Sequence, residues 1–132
     1  MSWLLDVNFM LASRWATHVD HRAVLAWLDS IENYYTCAIS ELGFLRISMS
    51  PAYNATWEDA LESLKSLQRR AGYGFLADDV TAVESPKTGW RDTTDAHLIA
   101  LAKRHRLTLA TLDGKLISQQ WARDIAINPL LT

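Results

Sequence analysis

Only one cysteine, Cys37, occurs among the 132 residues, so no disulfide can close within the chain. That fits a reducing cytoplasm. No apolar run approaches the roughly 20 residues needed to cross a bilayer, which argues against a membrane protein. The start, Met1-Ser2-Trp3-Leu4-Leu5-Asp6, lacks a basic stretch ahead of its apolar residues and reaches an acid at once, so no signal peptide is expected. No repeat or low-complexity tract is present. An excess of positive charge is missing too: 13 Lys and Arg against 15 Asp and Glu leave a net charge of −2, giving no general pull toward nucleic acid. Any such binding would need a local basic patch, with a salt dependence set by that patch. Cys and His at zinc-ligand spacing are also lacking. What is there is ordinary for a soluble globular protein, with 49% hydrophobic and 21% charged residues. Residues 1–132 are read as one domain, long enough to bury a core. Six tryptophans read as core or interface anchors.

Strand-like and helix-like segments alternate along the chain. Residues 2–5 read as a short buried strand, Asn8 to Ser13 as a helix, and 19–32 as an amphipathic helix carrying Ala23, Val24, Trp27, Leu28 and Ile31. Tyr34 to Cys37 is β-prone. Ile39 to Ser48 reads as a helix ended by Ser50-Pro51. Trp57, Ala60, Leu61, Leu64 and Leu67 form a further helical stripe stopped by Gly72. Phe75 to Ala77 is a candidate strand, and Asp78-Asp79 a cap for a short helix over Val80 to Val83. Residues 84–92 read as an exposed loop, after which Thr93 or Thr94 caps a helix bearing Leu98, Leu101 and Ala102. Thr108 to Ala110 is a strand, Lys115 to Ala122 a helix, and Asp124 to Ile127 a last strand. The alternation predicts an α/β fold with a mainly parallel sheet of about four or five strands and helices on both faces.

Four acids fall where such a sheet opens. Asp6 ends the run Trp3-Leu4-Leu5, Asp113 ends Leu107 to Leu112, and Glu41 and Asp95 stand at helix starts. Ligands bind along the edge formed by strand C-termini. Each acid alone has a plain explanation as a cap, a turn residue or a solvated helix residue. Together they carry more weight, because Asp95 shares a face with Leu98, Ile99 and Ala102, and Glu41 neighbours Phe44 and Leu45. Carboxylates on apolar faces are costly unless paired, hydrogen-bonded or metal-bound. An oxygen-only donor set points to Mg²⁺ or Mn²⁺ and to metal-assisted hydrolysis.

At these positions the chain resembles the PIN domain, and specifically the toxin nucleases of VapBC-type toxin–antitoxin systems. The matching pieces are Leu5-Asp6-Val7-Asn8, Ser40-Glu41-Leu42-Gly43, the run Thr94-Asp95-Ala96-His97-Leu98-Ile99-Ala100-Leu101-Ala102, and Thr111-Leu112-Asp113-Gly114-Lys115. Their order and spacing fit over essentially the whole chain. The resemblance implies a three-layer αβα sandwich and a cytoplasmic Mg²⁺- or Mn²⁺-dependent endoribonuclease that forms a homodimer and is inhibited by a cognate antitoxin. It carries a four-acid catalytic metal site onto Asp6, Glu41, Asp95 and Asp113, with Asn8 and Thr111 aiming the carboxylates. Asp6, Asp95 and Asp113 would hold the metal, and Glu41 would hold it or orient the attacking water for in-line cleavage of RNA. Gly114-Lys115-Leu116 departs from the further polar residues and aromatic of many members, which bears on the substrate groove.

Among other residues, Lys87, Trp90 and Arg91 are the group chosen for RNA, since aromatic stacking beside cations suits unpaired bases. Arg14 and Arg46 could meet phosphate or an antitoxin carboxylate. Trp15, Trp27, Trp57 and the Tyr53 region offer an antitoxin groove or dimer face, with core packing an equal reading for Trp27 and Trp57. His18, His21 and His97 read as exposed or cleft-lining groups, with a three-histidine metal site the minor reading. Asp92, in the irregular loop, could be an extra carboxylate near the site, with a solvated loop acid the preferred reading. Two competing functions stay open: a catalytically silent RNA- or protein-binding module, and a metal-dependent DNA nuclease or phosphatase. Retention of all four acids favours the enzyme.

Overall fold

The computed structural model describes residues 1–131. Five strands form one parallel sheet: β1 (Trp3–Leu5), β2 (Tyr34–Cys37), β3 (Tyr73–Leu76), β4 (Thr108–Ala110) and β5 (Ala126–Ile127), in the order β3-β2-β1-β4-β5. The helices are α1 (Val7–Arg14), α2 (His21–Ser30), α3 (Ala38–Ser48), α4 (Trp57–Gln68), α5 (Thr93–Arg104) and α6 (Gly114–Ser118). Strand side chains alternate between the two faces. Trp3, Leu5, Tyr34 and Ala110 pack with Phe9, Val24, Phe44 and Leu64 of α1 to α4. Leu4 and Leu109 pack with Leu98, Ile99, Leu101 and Leu116 of α5 and α6. The result is the expected three-layer αβα sandwich. Among the described residues, no helix is long and apolar enough to cross a membrane.

Local chemistry sets the element boundaries. Thr56 accepts the Asp59 N–H at 3.1 Å and so caps α4. Gly72, at φ +87°, turns the chain straight back into the sheet, so β3 begins at Tyr73 rather than Phe75. The short helix expected over Val80 to Val83 is instead a 3₁₀ turn at Ala82–Glu84, closed by the Thr81 N–H donating to Glu84 at 3.0 Å. Asp78 does not cap it; that carboxylate accepts the Val80 N–H and pairs with His97. A second 3₁₀ turn, Trp90–Asp92, runs directly into α5, so Asp92 rather than a threonine occupies the cap position. The helix expected to reach Ala122 stops at Ser118, because Gln119 is extended before a further 3₁₀ turn at Gln120–Ala122. The last strand is shortened by Asp124, whose φ of +67° breaks the extended chain.

Gly43 marks a close crossing of α1 and α3, since a Cβ there would lie 2.7 Å from the Val7 side chain. Gly72 is under the stronger constraint: a Cβ there would meet the Glu32 carbonyl oxygen at 2.2 Å. Gly72→Ala is therefore expected to cost about 1–3 kcal/mol or more. Gly114→Ala, where nothing lies within 4 Å, should change stability by less than about 1 kcal/mol. Urea denaturation of the two variants side by side checks the contrast.

Candidate active site

The strand order reverses between β1 and β4, and in a parallel sheet a crevice opens at that point outside the strand ends. Asp6 directly follows β1, and Thr111 to Asp113 directly follow β4. The Asp6 N–H donates to the Ala110 carbonyl at 3.0 Å, so the two exits lie side by side. Asp6 is only 4% exposed. Its Oδ1 accepts the Val7 N–H at 2.8 Å, capping α1, and its Oδ2 accepts the Thr111 hydroxyl at 2.7 Å. Thr111 Oγ1 in turn accepts from the Asn8 amide at 3.2 Å and from the Asp113 N–H at 3.1 Å. Asn8 Oδ1 accepts the Leu112 N–H at 3.0 Å. Asp113 caps α6 by accepting the Lys115 and Leu116 N–H groups at 2.9 and 3.3 Å. Asp95 stands in the first turn of α5.

These residues border a cavity of about 770 Å³. Asp6, Asn8, Asp95, Asp113, Thr94, Arg46 and Arg91 form its polar part, and Leu11, Leu42, Met49 and Trp57 line an apolar trough continuous with it. Among the described residues, none of the three aspartates is ion-paired with a basic side chain. Burial pushes the Asp6 pKa up, against hydrogen bonds from Thr111 and Val7 that lower it, and the charge of Asp113 adds to the rise. Asp95 is raised to about 6, first by burial and then by the charges of Asp6, Asp113 and Asp92. An uncompensated cluster of carboxylates with an oxygen-only donor set fits a hard dication such as Mg²⁺ or Mn²⁺. Among the described residues, no three His, Cys, Asp or Glu side chains already surround one point. Binding an ion would therefore involve side-chain rotation.

Glu41 is placed apart from the other three. The wall that α3 lends the cavity is made by Ile39, Leu42, Gly43 and Arg46, while the Glu41 carboxylate points elsewhere. Its Oε2 accepts from the Thr36 hydroxyl at 2.6 Å, the Gln68 amide at 3.0 Å and the Tyr73 hydroxyl at 3.1 Å. The cationic group is divided as well. Arg91 lines the acid cavity and lies 4.9 Å over the ring of Trp90, which is 79% exposed. Lys87 lines a neighbouring cavity with Ser85 and His97 that shares Ile39 and Thr94 with the first.

The histidines do not converge, which corrects the three-histidine reading, and among the described residues only His97 borders a cavity, the one that Lys87 lines. His18 accepts the Asp20 N–H and His21 bonds the Ala12 carbonyl, while His97 is held between Asp78 and Ser85. Trp27 is a core residue, edge-on to Trp3 and Phe9, but Trp57 is 49% exposed in the trough. Arg14 bonds Ser63, away from the cavity. Asp92 proves close enough to Asp95 to raise its pKa; its place three residues ahead of Asp95, at a helix entry, was the available signal. Gln68 and Tyr73 were missed, and nothing in their local sequence marks them.

The chain matches the PIN domain over residues 3–120. It is 36% identical over 119 residues to ribonuclease VapC38 of Mycobacterium tuberculosis, covering 84% of each protein. Ribonuclease VapC39 of the same organism is 35% identical over 127 residues, covering 88% of this chain and 91% of the relative. Among solved structures, the fold resembles M. tuberculosis VapC20, a sarcin-ricin loop cleaving toxin, with a TM-score of 0.66 at 10% identity over 86% of this chain and 92% of the other. It also resembles VapBC2 of Rickettsia felis bound to a DNA fragment from their promoter, with a TM-score of 0.63 at 13% identity over 92% and 95% of the two chains.

The electrostatics give a pH dependence. Ionising Asp95 places charge in a half-buried site already facing Asp6 and Asp113, so the folded pKa of about 6 lies above the unfolded value of about 3.9. The stability tied to protonated Asp95 is thus fully present below about pH 3.9 and is lost as pH rises through about 6. Asp95→Asn should remove this decline. In chelator, its stability relative to the parent protein should improve from pH 4 to pH 7. Urea titrations across that range check it; a difference that does not vary with pH contradicts it.

Proposed function

Because this chain belongs to the PIN-domain family, among the VapC proteins, we propose that it is a metal-dependent endoribonuclease and the toxin of a toxin–antitoxin pair. The observation that carries the reading is the convergence of Asp6, Asp95 and Asp113 on one cavity at the β1–β4 exit, without a basic partner. A bound Mg²⁺ or Mn²⁺ would lower the pKa of water and offset charge on the reacting phosphate. The chain's own residues do the rest. Thr111 and Asn8 hold Asp6 and the 111–113 turn in a fixed relation, so that Asp6 and Asp113 face the cation from adjoining strand ends. Glu41 is the fourth acid of the proposed site and reaches it only by leaving its present partners.

The RNA is proposed to enter beside Trp90 and Arg91, where an exposed ring under a guanidinium offers a stacking surface for an unpaired base next to the acids. Lys87, on the adjoining cavity, extends the cationic path for the backbone. The antitoxin is proposed to cover the trough of Leu42, Met49 and Trp57, large side chains exposed beside the acids. A cytoplasmic, single-domain homodimer completes the reading.

Purified protein freed of its antitoxin should cleave RNA only with Mn²⁺ or Mg²⁺ present. Asp6→Asn and Asp95→Asn should each reduce cleavage to background while circular dichroism is unchanged. Cleavage in chelator, or full activity in both variants, would sink the proposal. In an Asp95→Asn background, Trp90→Ala should weaken binding of single-stranded RNA by about 1–3 kcal/mol, the usual worth of one base–aromatic stack, as read by fluorescence anisotropy.

A further inference from the structure

We propose that Thr36, Gln68 and Tyr73 are positioning residues that hold Glu41 outside the acid cavity and compete with a bound dication for its carboxylate. The inference rests on the functional reading above. It starts from the three donors on one carboxylate oxygen: the Thr36 hydroxyl at 2.6 Å, the Gln68 amide at 3.0 Å and the Tyr73 hydroxyl at 3.1 Å. The Thr36 and Tyr73 oxygens are also 2.7 Å apart. Each hydroxyl has a single hydrogen, so two hydrogens serve three short oxygen–oxygen separations. Thr36 donates to Glu41 at the shortest of them, and Tyr73 donates either to Glu41 or to Thr36. The carboxylate is the acceptor that completes this arrangement. Burial, first of all, raises the pKa of Tyr73 and keeps its phenol a neutral donor.

The alternative position for Glu41 is electrostatically opposite. Asp6, Asp95 and Asp113 line the cavity with no ion pair to a basic side chain among the described residues, and the charge of Asp113 raises the pKa of Asp6 while those of Asp6 and Asp113 raise that of Asp95. A fourth carboxylate added there meets repulsion, whereas the cradle offers only neutral donors. A dication reverses that balance by attracting all four acids. Glu41 lies in the first turn of α3, the helix whose Ile39, Leu42 and Gly43 line the cavity. The two positions of its side chain are thus served by the same backbone. Cation binding must draw Glu41 from the cradle, and the apparent affinity is lowered by the fraction of molecules in which it is held there.

The sign of the effect separates this from simple structural support. Loss of a purely structural residue weakens the cation site or leaves it unchanged, whereas loss of a competing donor strengthens it. Mn²⁺ affinity of the full chain, free of antitoxin, is measured by calorimetry and by electron paramagnetic resonance of free Mn²⁺. Gln68→Leu and Tyr73→Phe should each tighten Mn²⁺ binding about threefold to tenfold. The gain should vanish when either is combined with Glu41→Gln. Unchanged or weaker Mn²⁺ binding in a variant whose circular dichroism is normal overturns the proposal. If Tyr73→Phe does not fold, Gln68→Leu, which alters a half-buried side chain at the end of α4, decides it alone. Asp95→Asn serves as the separate control. If it binds Mn²⁺ as well as the parent protein does, the cation-site reading itself fails, whatever the cradle variants show.

Discussion

The Thr111 hydroxyl donating to the buried Asp6 carboxylate is the interaction on which the rest of the site depends. It joins the ends of β1 and β4, the neighbouring strands at which the sheet changes direction. Asp6 could not remain buried without donors, because an unpaired carboxylate in an apolar interior is costly. Val7 and Thr111 supply them, and the same contacts cap α1 and orient the chain leaving β4. Asn8 ties the turn a second time through Leu112. Strand pairing, helix entry and the placing of two acids are therefore one arrangement.

The structure treats its acids in two contrasting ways. Asp6, Asp95 and Asp113 are gathered so that Asp113 makes Asp6 harder to ionise and both make Asp95 harder to ionise. Glu41, on a neighbouring helix, accepts hydrogen bonds from neutral groups on β2, α4 and β3. A carboxylate cluster of the first kind stores repulsion that a cation can relieve. A cradle of the second kind satisfies the carboxylate with hydrogen bonds instead. Both are built on the first turns or entries of helices, where the macrodipole and free N–H groups already favour negative charge. Their different settings come from which face of the helix the side chain leaves, and for Glu41 that is the face toward β2, β3 and α4.

Much of this was legible in the chain. The βα alternation and the buried runs specified the parallel sheet, and the acids at run ends marked the edge where Asp6, Asp95 and Asp113 line a cavity. Asp6, Asn8, Thr111 and Asp113 could be placed because each sits at a strand exit, where local pattern and spatial position coincide. The position of Glu41 could not. Helical spacing put it beside Phe44 and Leu45 but does not say which layer that face meets, and its partners lie on β2, the end of α4 and β3. The short elements at 82–84, 90–92 and 120–122 were misjudged for a related reason. A single turn carries too few residues for periodicity, so local bonds such as Thr81 to Glu84, and the extended Gln119, decided the outcome. Lys87 and Arg91, four residues apart, line separate cavities, Lys87 from the irregular stretch and Arg91 from the 3₁₀ turn that follows it.

The pairing of β1 with β4 also bears on when the site can exist during synthesis. Asp6 and Thr111, which share a hydrogen bond, are separated by 105 positions. A nascent chain exposes its first acid early and forms β1 to β3 with their helices before the β4 segment has been made. Until then Asp6 has neither Thr111 nor Asp113 beside it, and the cavity has no floor. The cluster of Asp6, Asp95 and Asp113 thus comes together only once the last fifth of the polypeptide has joined the sheet.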